Sequence, residues 1–330
     1  MEQSKRYCGT VKADGEMELL MLPETGIRSS SCLDADGLFT KRQMALIRDA
    51  GFGLAELNLN HPWTGLDYKD QGVILELSRE AAKNSIRLSA HAPTELQLTE
   101  FDKSADEIIV SVYRDIVNRV SGCGIKSIVI HPCTGNASVS GRNNGIRIRN
   151  LISRLEKILP ACESSETTLL METMTPGRIS SGMDTLIRAA DAVDSPFLKI
   201  CLDTNHLNLS EDICTAAERA GKRVGEIHLN DNHGLMEEHL LPYSGTIDWE
   251  NFFKSLSVIS YEKDMILEPS RLADGTPYGP GHTALMLRQA KEAADKITAF
   301  LMENLYRRRK EDEKIRTKRK DSFENCRMER

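Results

Sequence analysis

"EIHLNDNHGLMEEHLLPYSGTIDW" (residues 226–249) begins like a buried strand and ends like a solvent loop. It carries three of the chain's eight histidines, His228, His233 and His239, among several carboxylates. The strand part, extended back to "VGEIHLN" (224–230), is a short apolar run that breaks at Asn-Asp-Asn, a combination that favours turns. Such a run decides the fold if the rest of the chain repeats it.

From about residue 27 to 306, short β-branched or apolar runs do alternate with longer amphipathic stretches at helical spacing. The strand candidates are "GIRSSSC" (26–32), "LAELNL" (54–59), "IRLSAHA" (86–92), "KSIVIHP" (126–132), "TLLMET" (168–173), "LKICLDT" (198–204), "VGEIHLN" (224–230) and "DMILEP" (264–269). Helices are expected over 39–50, 71–84, 103–121, 143–159, 182–193, 211–220, 248–258 and 281–306. Asp102 and Ser210 read as N-caps, each with acids in the following turn. Eight strands, each followed by a helix, predict an α/β fold: a single (β/α)8 TIM barrel over 26–306. A doubly wound sheet would show a Gly-rich first turn, and neither GxGxxG nor GxxxxGK[ST] occurs. A short N-terminal extension (1–25) and a charged C-terminal tail (307–330), a helical extension or disordered, lie outside that unit.

Composition bounds the function. Hydrophobic content of 40% and charged content of 28% suit a folded domain with a sizeable core rather than a disordered chain. The N-terminus has no basic start followed by an apolar run, and no stretch of about 18 apolar residues occurs, so no membrane partner and a cytoplasmic location are expected. The eight scattered cysteines form no CxxC pair and read as reduced thiols. Residues 303–330 hold eleven Lys+Arg against seven Asp+Glu, so the net charge of −6 divides into +4 there and −10 over the rest. An acidic body argues against a nucleic-acid partner, because neutralising phosphates supplies most of the affinity for a duplex.

Polar residues recur at the strand ends: Glu56 in the second, then His91, His131, Glu172, Asp203, His228 and Glu268 in the third to eighth. In this fold the loops after the strands converge on one face, so these side chains share a cavity. Several buried carboxylates repel one another unless a cation joins them. Glu172, Asp203, His228 and Glu268 offer three carboxylates and one imidazole, an oxygen-rich set for a divalent metal. Mn²⁺ is the first expectation, with Zn²⁺, Co²⁺ or Mg²⁺ as alternatives. His91, His131 and His206, with Glu237 and His239, could complete a second or third metal site or contact substrate.

The motifs "HAP" (91–93), "VIHP" (129–132), "LLMET" (169–173), "CLDTNH" (201–206), "HLNDN" (228–232) and "ILEPS" (266–270) resemble, in order, those of the xylose-isomerase-like barrels. That superfamily joins sugar-phosphate isomerases and epimerases to endonuclease-IV-type apurinic-site nucleases. The resemblance spans about residues 27–300 and implies that Glu172, Asp203, His228 and Glu268 hold the common metal. It further implies that Glu172 and Glu268 act as acid and base on a carbohydrate, through a metal-stabilised enediolate. In the nucleases a three-metal cluster adds ligands that match His91, His131, His206, Glu237 and His239, with Glu237 in place of an aspartate.

The segment after His228 favours the isomerase side, although Tyr243 and Ser244 replace the usual Gly-Glu before Gly245. The Tyr and Asn of the nuclease pattern after His91 are absent. The expected activity is therefore a metal-dependent isomerase or epimerase of a sugar or sugar phosphate. The alternatives are an apurinic-site nuclease, or an inosose-dehydratase-like or C-glycoside-cleaving lyase. Arg271 is the expected contact for an anionic group on the substrate, and homo-oligomerisation is left open.

Overall fold

All eight apolar runs form strands, and the strands close on themselves. The computed structural model describes residues 7–11, 17–60, 64–133, 141–279 and 281–304. A hairpin of β1 (Tyr7–Val11) and β2 (Met17–Met21) comes first. The barrel strands are β3 (Thr25–Arg28), β4 (Leu54–Asn58), β5 (Arg87–His91), β6 (Ser127–Ile130), β7 (Thr168–Glu172), β8 (Leu198–Asp203), β9 (Val224–Leu229) and β10 (Asp264–Leu267). They pair in parallel in chain order, and β10 returns to β3, which leaves the barrel sheet without an edge. The turn-like "KADGE" (12–16) and the charged tail at 307–330 lie outside the described residues.

Helices α1 (Lys41–Asp49), α2 (Gln71–Lys83), α3 (Asp106–Gly122), α4 (Gly141–Ser165), α5 (Met183–Val193), α6 (Thr204–Asn208), α7 (Ile213–Ala220), α8 (Trp249–Val258) and α9 (residues 283–304) follow the barrel strands. Residues such as Ile74, Ile116, Leu155, Leu186 and Phe252 form the apolar layer that joins them to the sheet. Inside the strands lies a separate small apolar cluster of Val129, Leu170 and Cys201.

Three details depart from the sequence expectation. The first strand stops at Arg28, because Ser29–Ser31 turn as a 3-10 helix: Ser29 Oγ accepts from Asn58 N, and Ser31 Oγ donates to the Pro269 carbonyl. Helix α4 runs past Pro160 to Ser165. The hydrogen bond that proline forfeits is offset by the burial of Ile158, Leu159 and Cys162 around it. The cap of α7 is Asp212, whose carboxylate accepts from Thr215 N, and Ser210 instead donates to the Ser181 carbonyl.

Two arginines hold the frame. At the start of β5, Arg87 reaches Asp264 at 2.6 and 2.8 Å and Glu24 at 2.8 Å, tying the N-terminal end of the barrel. Arg154 on α4 is fully buried and pairs with Asp106 at 2.6 Å. It also donates to the carbonyls of Leu98 and Glu100, which fixes the loop after β5.

Candidate metal centre

Every barrel strand delivers a polar residue to its C-terminal end. Arg28, Asn58, His91, Glu172 and Asp203 close their strands, His228 is one residue from the end of β9, and His131 and Glu268 directly follow β6 and β10. Glu172, Asp203, His228 and Glu268 are all buried, and one donor atom from each lies within 4.8 Å of the others. His228 Nδ1 is 3.2 Å from Glu172 Oε1 and 3.3 Å from Glu268 Oε2. Asn230 steadies the set by donating to Asp203 Oδ2 at 3.2 Å and Glu268 Oε2 at 3.3 Å.

Two further groups adjoin it. His91 and His131 both face Glu172 Oε2, at 3.0 and 2.9 Å. His206, Glu237 and His239 form the other, with Glu237 Oε1 at 2.9 Å from His239 Nε2 and 3.5 Å from His206 Nε2.

The hydrogen bonds to main chain say what these groups lack. His91 Nδ1 lies 2.8 Å from the Ala92 carbonyl, which can only accept, so this nitrogen carries the proton. In the neutral ring Nε2 is then bare and points at a carboxylate oxygen. His206 repeats the arrangement, with Nδ1 on the Thr173 carbonyl at 2.7 Å and Nε2 toward Glu237. Two lone pairs facing each other need a cation between them, either a proton or a metal ion. Donor set and burial therefore fit a divalent metal at the four-residue group, and the tautomers of His91 and His206 fit metal ligands in the flanking groups.

The electrostatics divides the three carboxylates, leaving Asp203 short of a cation and Glu172 and Glu268 with cationic neighbours. Burial raises the pKa of Asp203. It also opposes ionisation of Glu172, but His131 and His228 outweigh it and hold that carboxylate well below its usual range. For Glu268 burial is likewise outweighed, chiefly by Arg28, whose Nη1 is 2.5 Å away. Burial pushes His131 down to about 4, which leaves the imidazole neutral at neutral pH, the form that binds metals. His206 is desolvated too, yet Asp203 and Glu237 push it up to about 10.

The loop after β9 is less of a solvent loop than its composition implies. Asp231 is fully buried, accepting from Trp249 Nε1 at 2.8 Å and from the Asn232 and Ile247 amides. Gly245 is required there, since a Cβ would lie 2.3 Å from both the Asn232 carbonyl oxygen and Asp231 Oδ1. Tyr243 adopts φ +72°, a conformation that favours glycine. The tip is open: Leu235 and Met236 are exposed, as is His233, which pairs with Glu238 at 2.9 Å.

A cavity of about 510 Å³ opens over the group, lined among others by His131, Glu172, His206, Glu237 and His239. Arg271 is not in this lining and donates to the Gly275 carbonyl. Sequence reasoning missed Arg28, Asn230, Arg178 in the lining, and Glu226, whose Oε1 lies 3.6 Å from His228 Nε2. Strand alternation could have found Glu226, two residues before His228 and so on the same face. The end of the first strand could have given Arg28.

Comparison with known proteins follows the same lines. A family model described as xylose isomerase-like TIM barrel matches residues 44–296. A D-psicose 3-epimerase of Enterocloster bolteae is 24% identical over 249 residues, 72% of this chain and 78% of that protein. A probable endonuclease 4 of Mycoplasmopsis pulmonis is 25% identical over 161 residues, 45% of this chain and 56% of that one. The chain spans about half the length, 52%, of an uncharacterised Sinorhizobium fredii relative at 23% identity over 48% of its own. Among solved structures, a Clostridium cellulolyticum D-psicose 3-epimerase with D-tagatose superposes with a TM-score of 0.67 at 18% identity, covering 84% of this chain and 99% of that one.

Proposed function

The chain belongs to the xylose isomerase-like TIM barrel family, and from that premise we propose that it is a divalent-metal-dependent isomerase or epimerase of a sugar. The observation that carries the reading is the pairing of Glu172 and Glu268. They come from β7 and the end of β10, three strands apart, and converge on the same buried group. A metal held by Glu172, Asp203, His228 and Glu268 would supply Lewis acidity, polarising a carbonyl and its neighbouring hydroxyl.

The chain's own residues would do the rest. One glutamate takes the proton from the carbon next to the carbonyl, and the other returns a proton to the opposite face. Arg28 pairs with Glu268 and keeps its carboxylate ionised. His206, its Nδ1 fixed on the Thr173 carbonyl, presents Nε2 toward the cavity and is placed to orient a substrate hydroxyl. Relatives named as psicose epimerases support a carbohydrate substrate.

A second reading has its own observation. The flanking groups, His91 and His131 with Glu172 and His206 with Glu237 and His239, would hold further metal ions beside the four-residue group, the ligand set that the resemblance to the nucleases implies. The acidic body weighs against it. The test is incubation of metal-loaded protein with D-fructose in D2O, beside an abasic-duplex cleavage assay. Solvent deuterium entering the carbon next to the carbonyl is expected. Duplex cleavage without any exchange would transfer the site to the nuclease reading.

A further inference from the structure

The cavity contains a cation that the proposed chemistry does not use. Arg178 lines it and is half-buried. Among the described residues, no carboxylate or carbonyl is paired with its guanidinium. The other lining arginine, Arg28, is already bound to Glu268. Leaving a half-buried guanidinium without an anion costs solvation, and its planar fork of donors matches phosphate and carboxylate oxygens.

The loop that carries Arg178 is built to hold still. It leaves β7 at Glu172, and Met174 N donates to the Ser180 carbonyl at 2.9 Å, closing the segment at its base. Met174, Ile179 and Ser180 are buried. Between them, Thr175-Pro176-Gly177-Arg178 has proline followed by glycine at φ +87°, the composition and backbone sign of a type II turn. A rigid turn six residues beyond Glu172 thus presents the guanidinium to the space above the metal group.

Thr94, Gln97 and Thr175 add neutral polar groups to the lining. The acids there are accounted for: Glu172 and Glu237 face imidazoles, and Glu95 is exposed, where solvent screens it. A neutral ketose would leave Arg178 without a partner. We propose that the substrate is an anionic sugar, a sugar phosphate or a sugar acid, and that Arg178 binds its anionic group away from the reacting carbons. The inference rests on the epimerase reading for the sugar and on the cavity for the anion.

The test uses full-length, metal-loaded protein and calorimetric titration with D-fructose 6-phosphate, 5-keto-D-gluconate, D-fructose and inorganic phosphate. Wild type should bind one of the two anionic sugars at least tenfold more tightly than D-fructose, and the better one identifies the anion. In Arg178→Gln that ratio should fall about tenfold or more, with Arg178→Lys recovering part of it, and inorganic phosphate should weaken in parallel. No preference in wild type, or a preference that survives Arg178→Gln, would overturn the assignment. If the preference holds while no sugar exchanges its carbon-bound proton in D2O, the anion subsite stands and the epimerase reading fails.

Discussion

Both ends of the barrel carry buried or half-buried charge, but only at one end is every charged group of the network matched by a hydrogen-bonded partner. At the N-terminal end, Arg87 satisfies Glu24 and Asp264 through four hydrogen bonds of 2.6 to 3.2 Å. At the C-terminal end, Glu172, Asp203 and Glu268 converge with one arginine, Arg28, at 2.5 Å from Glu268, and with histidines whose bare nitrogens face carboxylates. The first arrangement is complete as it stands and serves stability. The second is complete only with cations from outside, and this is the face where barrels of this class place their chemistry.

That contrast can be broken from either end. The largest effect is expected for Glu172→Gln and Glu268→Gln, which remove the proposed acid and base with little change of shape. Solvent-deuterium exchange into substrate should fall about a thousandfold, while far-UV circular dichroism and melting remain those of a folded barrel. Exchange retained in either variant would contradict its role.

Next comes the frame. Arg154→Ala strips the fully buried guanidinium from Asp106 and from the loop carbonyls of Leu98 and Glu100. Urea unfolding should show a loss of about 3–5 kcal/mol, the usual cost of leaving a buried partner unpaired. A loss under about 1 kcal/mol would mean that the loop after β5 is held by something else.

Metal addition should act only through the open end. At a free concentration a hundredfold above Kd, stability should rise by about 2.7 kcal/mol, reversed by EDTA and absent in Asp203→Asn. Smaller still is Glu226→Gln. Glu226 sits behind His228, on the side away from Glu172, and burial pushes its carboxyl up to about 8. Its Oε1, with Glu56 Oε2, flanks the ring nitrogen opposite the metal group at 3.6 and 3.4 Å, so metal affinity should drop about 10- to 100-fold. The smallest effect belongs to the matched end. Arg87→Gln, in a partly exposed network, should cost about 1 kcal/mol and leave metal affinity unchanged in the same titration.

How much of this the sequence disclosed depends on what kind of signal each residue leaves. All eight barrel strands were legible, because buried strands read as apolar runs bounded by turn residues. Their ends were legible to within a few residues, except where tertiary contacts override local preference, as at Ser29–Ser31 and across Pro160. The residues of the four-donor group stood out because His and carboxylates at strand ends are unusual.

Arg28 and Glu226 did not stand out. An arginine within a short strand and an acid early in one look like ordinary surface residues until the closed barrel shows that both face inward. Arg178 was invisible for a different reason. A Pro-Gly turn announces itself as a turn, but the direction in which it aims the next side chain depends on how Met174 and Ser180 close the loop. Arg271, the arginine chosen from sequence, is engaged with the Gly275 carbonyl instead of lining the cavity.

The most direct test of the unmatched end is the metal content per chain of natively purified protein, measured by plasma mass spectrometry beside Asp203→Asn. About one manganese, cobalt or zinc per wild-type chain, and almost none in the variant, is the expected result. No bound metal in wild type, even after reconstitution with each of these ions, would contradict the reading of the strand-end carboxylates as a metal centre.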